Sequence, residues 1–176
     1  MKALVIGGGI GGLATALSLH EKGIEVEVFE RSREIRELGV GINTLPHAIK
    51  ELAALGLLER LDAVGIRTYE LIYTNRFGQE IWREPRGVDA GYEYPQFSIH
   101  RGKLQRVLCE AARERLGDAA IRPGHDFVGL AQDSDGVTAR FHVREGGGAG
   151  GEAEARGDLL VGADGIHSRV RAIFYP

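Results

Sequence analysis

The sequence predicts an α/β protein in which a strand–turn–helix–strand unit opens the chain and a three-stranded meander closes it. Three observations carry this. The first thirty residues pass from a short apolar run, through a stretch in which five of six residues are glycine, into a helical pattern and then a cleanly alternating strand. Residues 102–116 place apolar side chains at helical spacing. From 126 to 164 three strand-like runs follow one another with turn residues between them.

The elements follow in order. Ala3 to Ile6 is a continuous apolar run, as expected of a strand buried on both faces of a parallel sheet. After the turn Gly7–Gly12, "LATALSLHEKG" puts Leu13, Ala16, Leu17 and His20 at helical spacing, and Gly23 stops the helix. "IEVEVFE" alternates, with Val26 and Val28 on one face and Glu25 and Glu27 on the other. "RSREIRELGVGINTLP" reads as a long loop, and Pro46 suits the first turn of a helix that runs to about Leu55 and ends at Gly56. "YELIYTNRFGQEIWREP" reads as a hairpin joined through Phe77-Gly78. A helix from about Gly102 to Leu116 carries Leu104, Val107, Leu108 and Ala111 as its apolar stripe. "DFVGLAQ", "GVTARFHV" and "EARGDLLVGAD" are the three meander strands, and "EGGGAGGE" is a flexible loop between the last two.

Composition bounds the function. A length of 176 residues suffices for one domain with a real core, and 43% hydrophobic with 27% charged residues is ordinary for a globular protein. A net charge of -3, with arginines interleaved among acids as in "ERSREIRE", speaks against nucleic acid as a partner. The single cysteine, Cys109, has no partner for an internal disulfide and reads as a buried helix residue. No Cys/His group has metal-ligand spacing, so no metal is expected. The apolar N-terminus is broken by glycines and runs into a charged strand, unlike a signal peptide, and no stretch is apolar enough to span a bilayer. A cytoplasmic, reducing setting is the expectation.

The glycine turn carries the chemistry. Gly7, Gly9 and Gly12 fit G-x-G-x-x-G between a strand and a helix, the fingerprint of a Rossmann-like unit. The first glycine makes the tight turn, the second lets backbone approach a pyrophosphate, and the third lets helix and strand pack closely. The helix start behind them offers N–H groups and partial positive charge to phosphates. Glu30 ends the next strand, where a carboxylate accepts hydrogen bonds from a ribose and repels a 2′-phosphate. FAD or NAD is therefore expected rather than NADP, and this unit alone leaves the two open.

Four segments in order resemble the motifs of the flavin-dependent aromatic hydroxylases, the p-hydroxybenzoate hydroxylase-like group of FAD monooxygenases. They are "VIGGGIGGLATALSLHEKGIEVEVFER", "ELGVGIN", "SIHRGKLQRVL" and "LLVGADGIHSRVR", and the resemblance covers essentially the whole chain. Within the group, "LGVGIN", "EPRGVDAGYEYPQFSIHRGKLQ" and "VGADGIHSRVRA" are most similar to its phenazine-modifying members, which act on 5-methylphenazine-1-carboxylate. The resemblance implies a Rossmann-like FAD/NAD(P)-binding domain with a β-meander, plus an incomplete part of a mixed-sheet substrate domain. It divides the chain into a βαβ part (1–68), a substrate-domain hairpin (69–99) and a stretch holding the FAD-binding helix, meander and Asp-Gly motif (100–176).

It also implies roles. Gly7, Gly9 and Gly12, with the amides of Ile10 and Gly11, hold the FAD pyrophosphate; Glu30 binds the adenosine ribose, with Arg31 beside the adenine. Gly41 lies toward the flavin, Arg101 and Gln105 reach the phosphate and ribityl region, and Val128 touches adenine through its backbone, with Phe127 as the neighbouring register. Asp164 and Gly165 lie by the pyrophosphate and support NAD(P)H binding. NADH or NADPH is the transient co-substrate, with O2 and an aromatic small molecule as the other reactants, and no side chain is assigned as catalytic. Arg169 and Arg171 read equally as surface charge, and His47, His100 and His167 as polar surface or capping residues. A Gly-Asp motif for the ribityl chain, which the family carries further on, has no counterpart here, so the chain is expected to be an N-terminal portion, inactive alone, whose exposed hairpin invites self-association. An FAD halogenase or reductase, and a non-catalytic nucleotide-binding module, are the alternatives that remain open.

Overall fold

The computed structural model describes residues 1–34, 39–143 and 150–175. Much of the glycine-rich loop "EGGGAGGE" lies outside the described residues. The chain forms two compact units: residues 1–36 with 108–176, and residues 37–107. The second unit therefore takes in 37–68 as well as the hairpin expected at 69–99.

In the first unit, β1 (Lys2–Ile6), β2 (Glu25–Glu30), β8 (Ile121–Pro123) and β12 (Leu159–Gly162) form a four-stranded sheet of order β12-β1-β2-β8. Every pair in it is parallel, with Ala3 opposite Leu159 and Val26, and Val28 opposite Ile121. A three-stranded antiparallel sheet of β9 (His125–Asp133), β10 (Gly136–Val143) and β11 (Gly151–Gly157), order β11-β10-β9, covers one face. Between them Leu4, Ile6, Phe29, Phe127, Ala139, Phe141 and Val170 make one buried cluster, with Phe29 stacked on Phe141 at 4.4 Å. Ala3 and Val5 point to the opposite face of β1 by strand alternation and are also fully buried. α1 (Ile10–His20) follows β1 and buries Leu13, Ala16 and Leu17.

The meander departs from expectation at its last strand. "EARGDLLVGAD" is two strands in two sheets: β11 alternates beside β10, then the chain turns at Gly157-Asp158 and β12 joins β1. A side chain at Gly157 would start 2.8 Å from Leu4 Cγ and 3.0 Å from the Lys2 carbonyl, so only glycine passes there without displacing β1. Asp158 pins the turn, donating its N–H to Lys2 O at 2.8 Å and accepting the Lys2 N–H at 2.5 Å. α1 likewise begins at Ile10, inside the glycine run and before the first apolar-periodic residue, Leu13.

The second unit holds a three-stranded antiparallel sheet of β3 (Gly41–Thr44), β7 (Gln96–His100) and β4 (Ile66–Thr68), order β3-β7-β4. None of these strands was expected: β3 lies in the stretch read as loop, and β7 runs straight into a helix. α2 (Pro46–Ala54) and α3 (Leu58–Asp62) bury Ile49, Leu52 and Leu61. The expected hairpin is β5 (Glu70–Thr74) with β6 (Glu80–Pro85). Asn75 shapes its turn, with Oδ1 accepting the N–H groups of Phe77 and Gln79. The hairpin leaves Phe77, Ile81 and Trp82 well exposed, at 73%, 68% and 56%. α4 (Arg101–Leu116) spans the division between the units, and α5 (Arg169–Phe174) closes the described chain. Among the described residues no helix is long and apolar enough to cross a membrane.

Candidate functional site

The glycine turn sits where β1, β12 and α1 converge. Gly7 takes φ +115°, and a Cβ there would lie 2.3 Å from the carbonyl oxygen of Ala163, at the end of β12. Two independent constraints thus require glycine: backbone conformation and close approach. A Cβ on Gly12 would stand 1.9 Å from the Gly7 carbonyl oxygen, so the absent side chain lets α1 pack onto the turn. Gly9 and Gly11 differ in kind, since a Cβ on either would meet nothing within 4 Å. Gly9 is the N-cap of α1 and no side chain caps it, so the first N–H groups of the helix are presented to that open space. Packing forces two of the glycines and leaves two facing space, which is the division that a phosphate cradle needs.

Glu30 is held toward this cradle. Its Oε2 accepts the Gly8 N–H at 2.7 Å and its Oε1 accepts the Ser32 N–H at 2.8 Å. A carboxylate offers about four lone-pair sites, more than these two N–H groups use. Gly8, which is not one of the three fingerprint positions, proves part of the arrangement, because a Cβ there would be 3.0 Å from Glu30 Cβ. Its only signal in the sequence is membership of the glycine run. Arg31 follows on the exposed surface.

The Asp-Gly motif is a helix-capping device. Asp164 Oδ1 accepts from Ser168 Oγ at 2.5 Å, and Oδ2 accepts the N–H groups of Arg169 at 2.7 Å and Val170 at 3.2 Å. Ser168 is the N-cap of α5 and accepts the Arg171 N–H, while Gly165 turns the chain at φ +81°. The Arg171 guanidinium donates to the Ile166 carbonyl at 2.8 Å, and Arg169 Nη1 donates to the Phe127 carbonyl at 2.9 Å. Both arginines thus hold backbone. Phe127 lies opposite Phe141 and Gly129 opposite Arg140, so Val128 is the extra residue of a β-bulge and faces no residue of β10. Phe127 is buried at 4% exposure, whereas Val128 is half-buried, and β9 is the outer strand of its sheet.

The other expected residues lie in the second unit. Gly41 pairs with His100 across β3 and β7, and Arg101 and Gln105 open α4 one helical turn apart. The segment before β3 is laid against this junction: Arg101 donates its N–H to Val40 O at 3.1 Å, and His100 Nε2 lies 3.0 Å from Gly39 O. Gly39, at φ +137°, would place a Cβ 2.7 Å from Arg101 Nε, so this second unanticipated glycine leaves room for the Arg101 side chain. His100 and Ser168 have structural partners. His47 is exposed at the start of α2. Cys109 is buried in α4, as expected.

A parallel sheet with a glycine turn, an acid at the end of the second strand and a meander over one face defines a dinucleotide-binding domain of the flavoprotein type. The chain belongs to the family described as FAD binding domain, whose model matches residues 1–174. It is 49% identical over 174 residues to the phenazine 1,6-dicarboxylic acid hydroxylase PhzS of Lysobacter antibioticus, covering 98% of this chain and 42% of that protein. The crystal structure of p-nitrophenol 4-monooxygenase PnpA from Pseudomonas putida DLL-E4 superposes with a TM-score of 0.86 at 26% identity, over 98% of this chain and 43% of that one. The flavin-dependent monooxygenase PieE, solved in complex with FAD and substrate, superposes with a TM-score of 0.82 at 28% identity, over 99% and 32%. The chain thus spans about two fifths of the length of the curated relatives it matches.

Proposed function

We propose that this chain is the FAD-binding portion of a flavin-dependent monooxygenase that hydroxylates an aromatic, phenazine-like substrate with NAD(P)H and O2. The observation that carries the reading is the 49% identity with a phenazine 1,6-dicarboxylic acid hydroxylase over nearly the whole chain. The residues fit the cofactor: a Cβ-free space at Gly9 and Gly11 lies before an uncapped helix start, and Glu30 has its carboxylate fixed beside it.

Gly7, Gly9 and Gly12, with the N–H groups of Ile10 and Gly11, take the pyrophosphate. Glu30 accepts the ribose hydroxyls, and Arg31 and the backbone of Val128 flank the adenine. Arg101, Gln105 and Gly41 serve the phosphate, ribityl and flavin end. Asp164 and Gly165 serve the same site by fixing the start of α5, since the Asp164 oxygens are already engaged by Ser168, Arg169 and Val170. When bound, FAD would supply the redox chemistry, with NAD(P)H as the source of electrons and O2 as the source of the oxygen atom, the second oxygen ending as water. This chain's residues bind and orient the cofactor, and no side chain among them is assigned a proton-transfer step. The hairpin β5–β6 belongs to the substrate side, and its exposed apolar residues are a surface for self-association. A cytoplasmic location is part of the same reading.

The test uses the intact protein. It should purify yellow, and a phenazine carboxylate should stimulate NAD(P)H consumption with matching formation of a hydroxylated product. A colourless protein that FAD cannot reconstitute, or stimulated oxidation without any hydroxylated product, overturns the reading.

A further inference from the structure

We infer that Arg169 is a positioning residue for the adenine end of the nucleotide site, acting through the peptide bond between Phe127 and Val128; this rests on the nucleotide-site reading above. Arg169 is anchored at both ends. Its backbone N–H is bonded to Asp164 Oδ2 at 2.7 Å, and its guanidinium Nη1 donates to the Phe127 carbonyl at 2.9 Å. Asp126 Oδ1 lies 4.0 Å from the same Nη1, a loose pairing of a type that contributes little in water, so the carbonyl bond sets the guanidinium orientation.

The carbonyl it holds belongs to the bulge. Val128 has no residue opposite it on β10, and the Phe127–Val128 peptide is therefore not locked by a regular ladder there. A trans peptide is planar, and its C=O and N–H point in opposite directions. Fixing the Phe127 oxygen toward α5 therefore aims the Val128 N–H the other way. The Phe127 ring, buried against Phe141 at 6.1 Å, fixes the other side of the same residue. Core packing and Arg169 together fix the Phe127–Val128 peptide of β9, an outer strand of its sheet and the stretch of backbone that the nucleotide-site reading sets beside adenine. The Asp-Gly motif thereby reaches the adenine end of the site without touching it: Asp164 holds Arg169, and Arg169 holds the bulge.

The experiment measures adenosine, ADP and FMN binding to the flavin-stripped intact protein, parent and Arg169→Ala, at low and high salt and well below the melting temperature. Arg169→Ala should weaken adenosine and ADP by the same factor, roughly three- to tenfold, the scale of coupling through a positioning contact. That factor should be the same at both salt concentrations, and FMN, which lacks adenine, should bind as to the parent. Loss of ADP affinity alone, diminishing with salt, would make Arg169 a phosphate-attracting surface cation and overturn the inference. So would a lowered melting temperature with adenosine affinity unchanged. If Arg169→Ala does not fold, Arg169→Lys, which keeps the charge and one donating nitrogen without the planar fork, should show a smaller loss on adenosine and ADP alike; full parental adenosine affinity in that variant overturns the inference. A parent that binds neither adenosine nor ADP removes the nucleotide-site reading, and the inference with it.

Discussion

Adding one methyl group at Gly12 or at Gly9 should have opposite consequences, although the two glycines are three residues apart in one motif. At Gly12 the new Cβ starts 1.9 Å from the Gly7 carbonyl oxygen, and an ordinary contact begins at 3.4 Å. Both partners are backbone, so no side chain can swing aside and α1 must lift from the turn. Overpacking of this kind costs about 1–3 kcal/mol, and the roughly 1 kcal/mol that alanine gains over glycine in a helix offsets only part of it. Gly12→Ala should therefore lose up to about 2 kcal/mol, a fall in melting temperature of up to roughly 8 °C for a chain of this size. Gly9, at φ -76° and ψ -179°, has a conformation alanine adopts freely and nothing within 4 Å of its Cβ position. Gly9→Ala should melt with the parent, yet lose FAD because the methyl stands where backbone must approach the pyrophosphate. Thermal unfolding by circular dichroism without nucleotide, followed by FAD titration of the intact protein, separates the two effects. A Gly12→Ala variant as stable as the parent, or a Gly9→Ala variant with parental FAD affinity, would refute this division of labour.

Glu30→Ala should weaken FAD by about one to two decades, since it removes charged-acceptor hydrogen bonds of about 1.5–3 kcal/mol; unchanged affinity on titration would end the ribose assignment. Arg101→Ala should weaken FAD, and Arg101→Lys should restore it only in part, because a point charge replaces a planar fork; flavin retention equal to the parent in both would return Arg101 to the surface. Asp164→Ala removes the acceptor at the start of α5 and should lower stability by about 1 kcal/mol in a denaturant titration, and an unchanged midpoint would show that Ser168 caps the helix unaided. The Arg67 guanidinium, bonded to Asp62 at 2.6 Å, holds that carboxyl below its usual range. A depressed carboxyl contributes stability above its unfolded value and loses it as pH falls through the lowered folded value, so Asp62→Asn should flatten the stability profile below about pH 4. The pair is partly exposed and the effect should stay under about 1 kcal/mol; a parent and variant that diverge at neutral pH but run parallel in acid would contradict this.

Legibility in the sequence followed the length and regularity of each pattern. The βαβ unit, the hairpin and α4 were readable because each carries a period over many residues or a turn signal between two runs. β4 and β8 were not, because three residues cannot express a period, and Pro123 in β8 is tolerated only where no ladder N–H is needed. β3 and β7 were hidden by a glycine loop and by direct continuation into α4. The break between β11 and β12 had a signal: the alternation of Glu152 to Arg156 gives way to the unbroken run Leu159 to Val161 at a Gly-Asp pair. At the site, the three fingerprint glycines were legible because spacing alone marks them. Gly8 and Gly39 were not, since what requires them is the distance to Glu30 and to Arg101, which no local pattern encodes. The bulge at Val128 is likewise a property of two strands in register.

The pairing of Ala3 with Leu159 has a consequence for synthesis. Chains are made at about 5–20 residues per second, and domains generally fold as units during synthesis. The N-terminal strand therefore leaves the ribosome well before the strand that closes one of its edges exists. During that interval β1 can pair with β2, but its other edge is an open apolar template of the kind that recruits the wrong chain. The Gly7 turn, shaped against Ala163, cannot reach its final form until that late strand arrives. Non-local closure of this sort is slow, so the segment whose glycines lead the sequence should be among the last to become competent for its ligand. FAD can then stabilise only chains that have already completed this sheet.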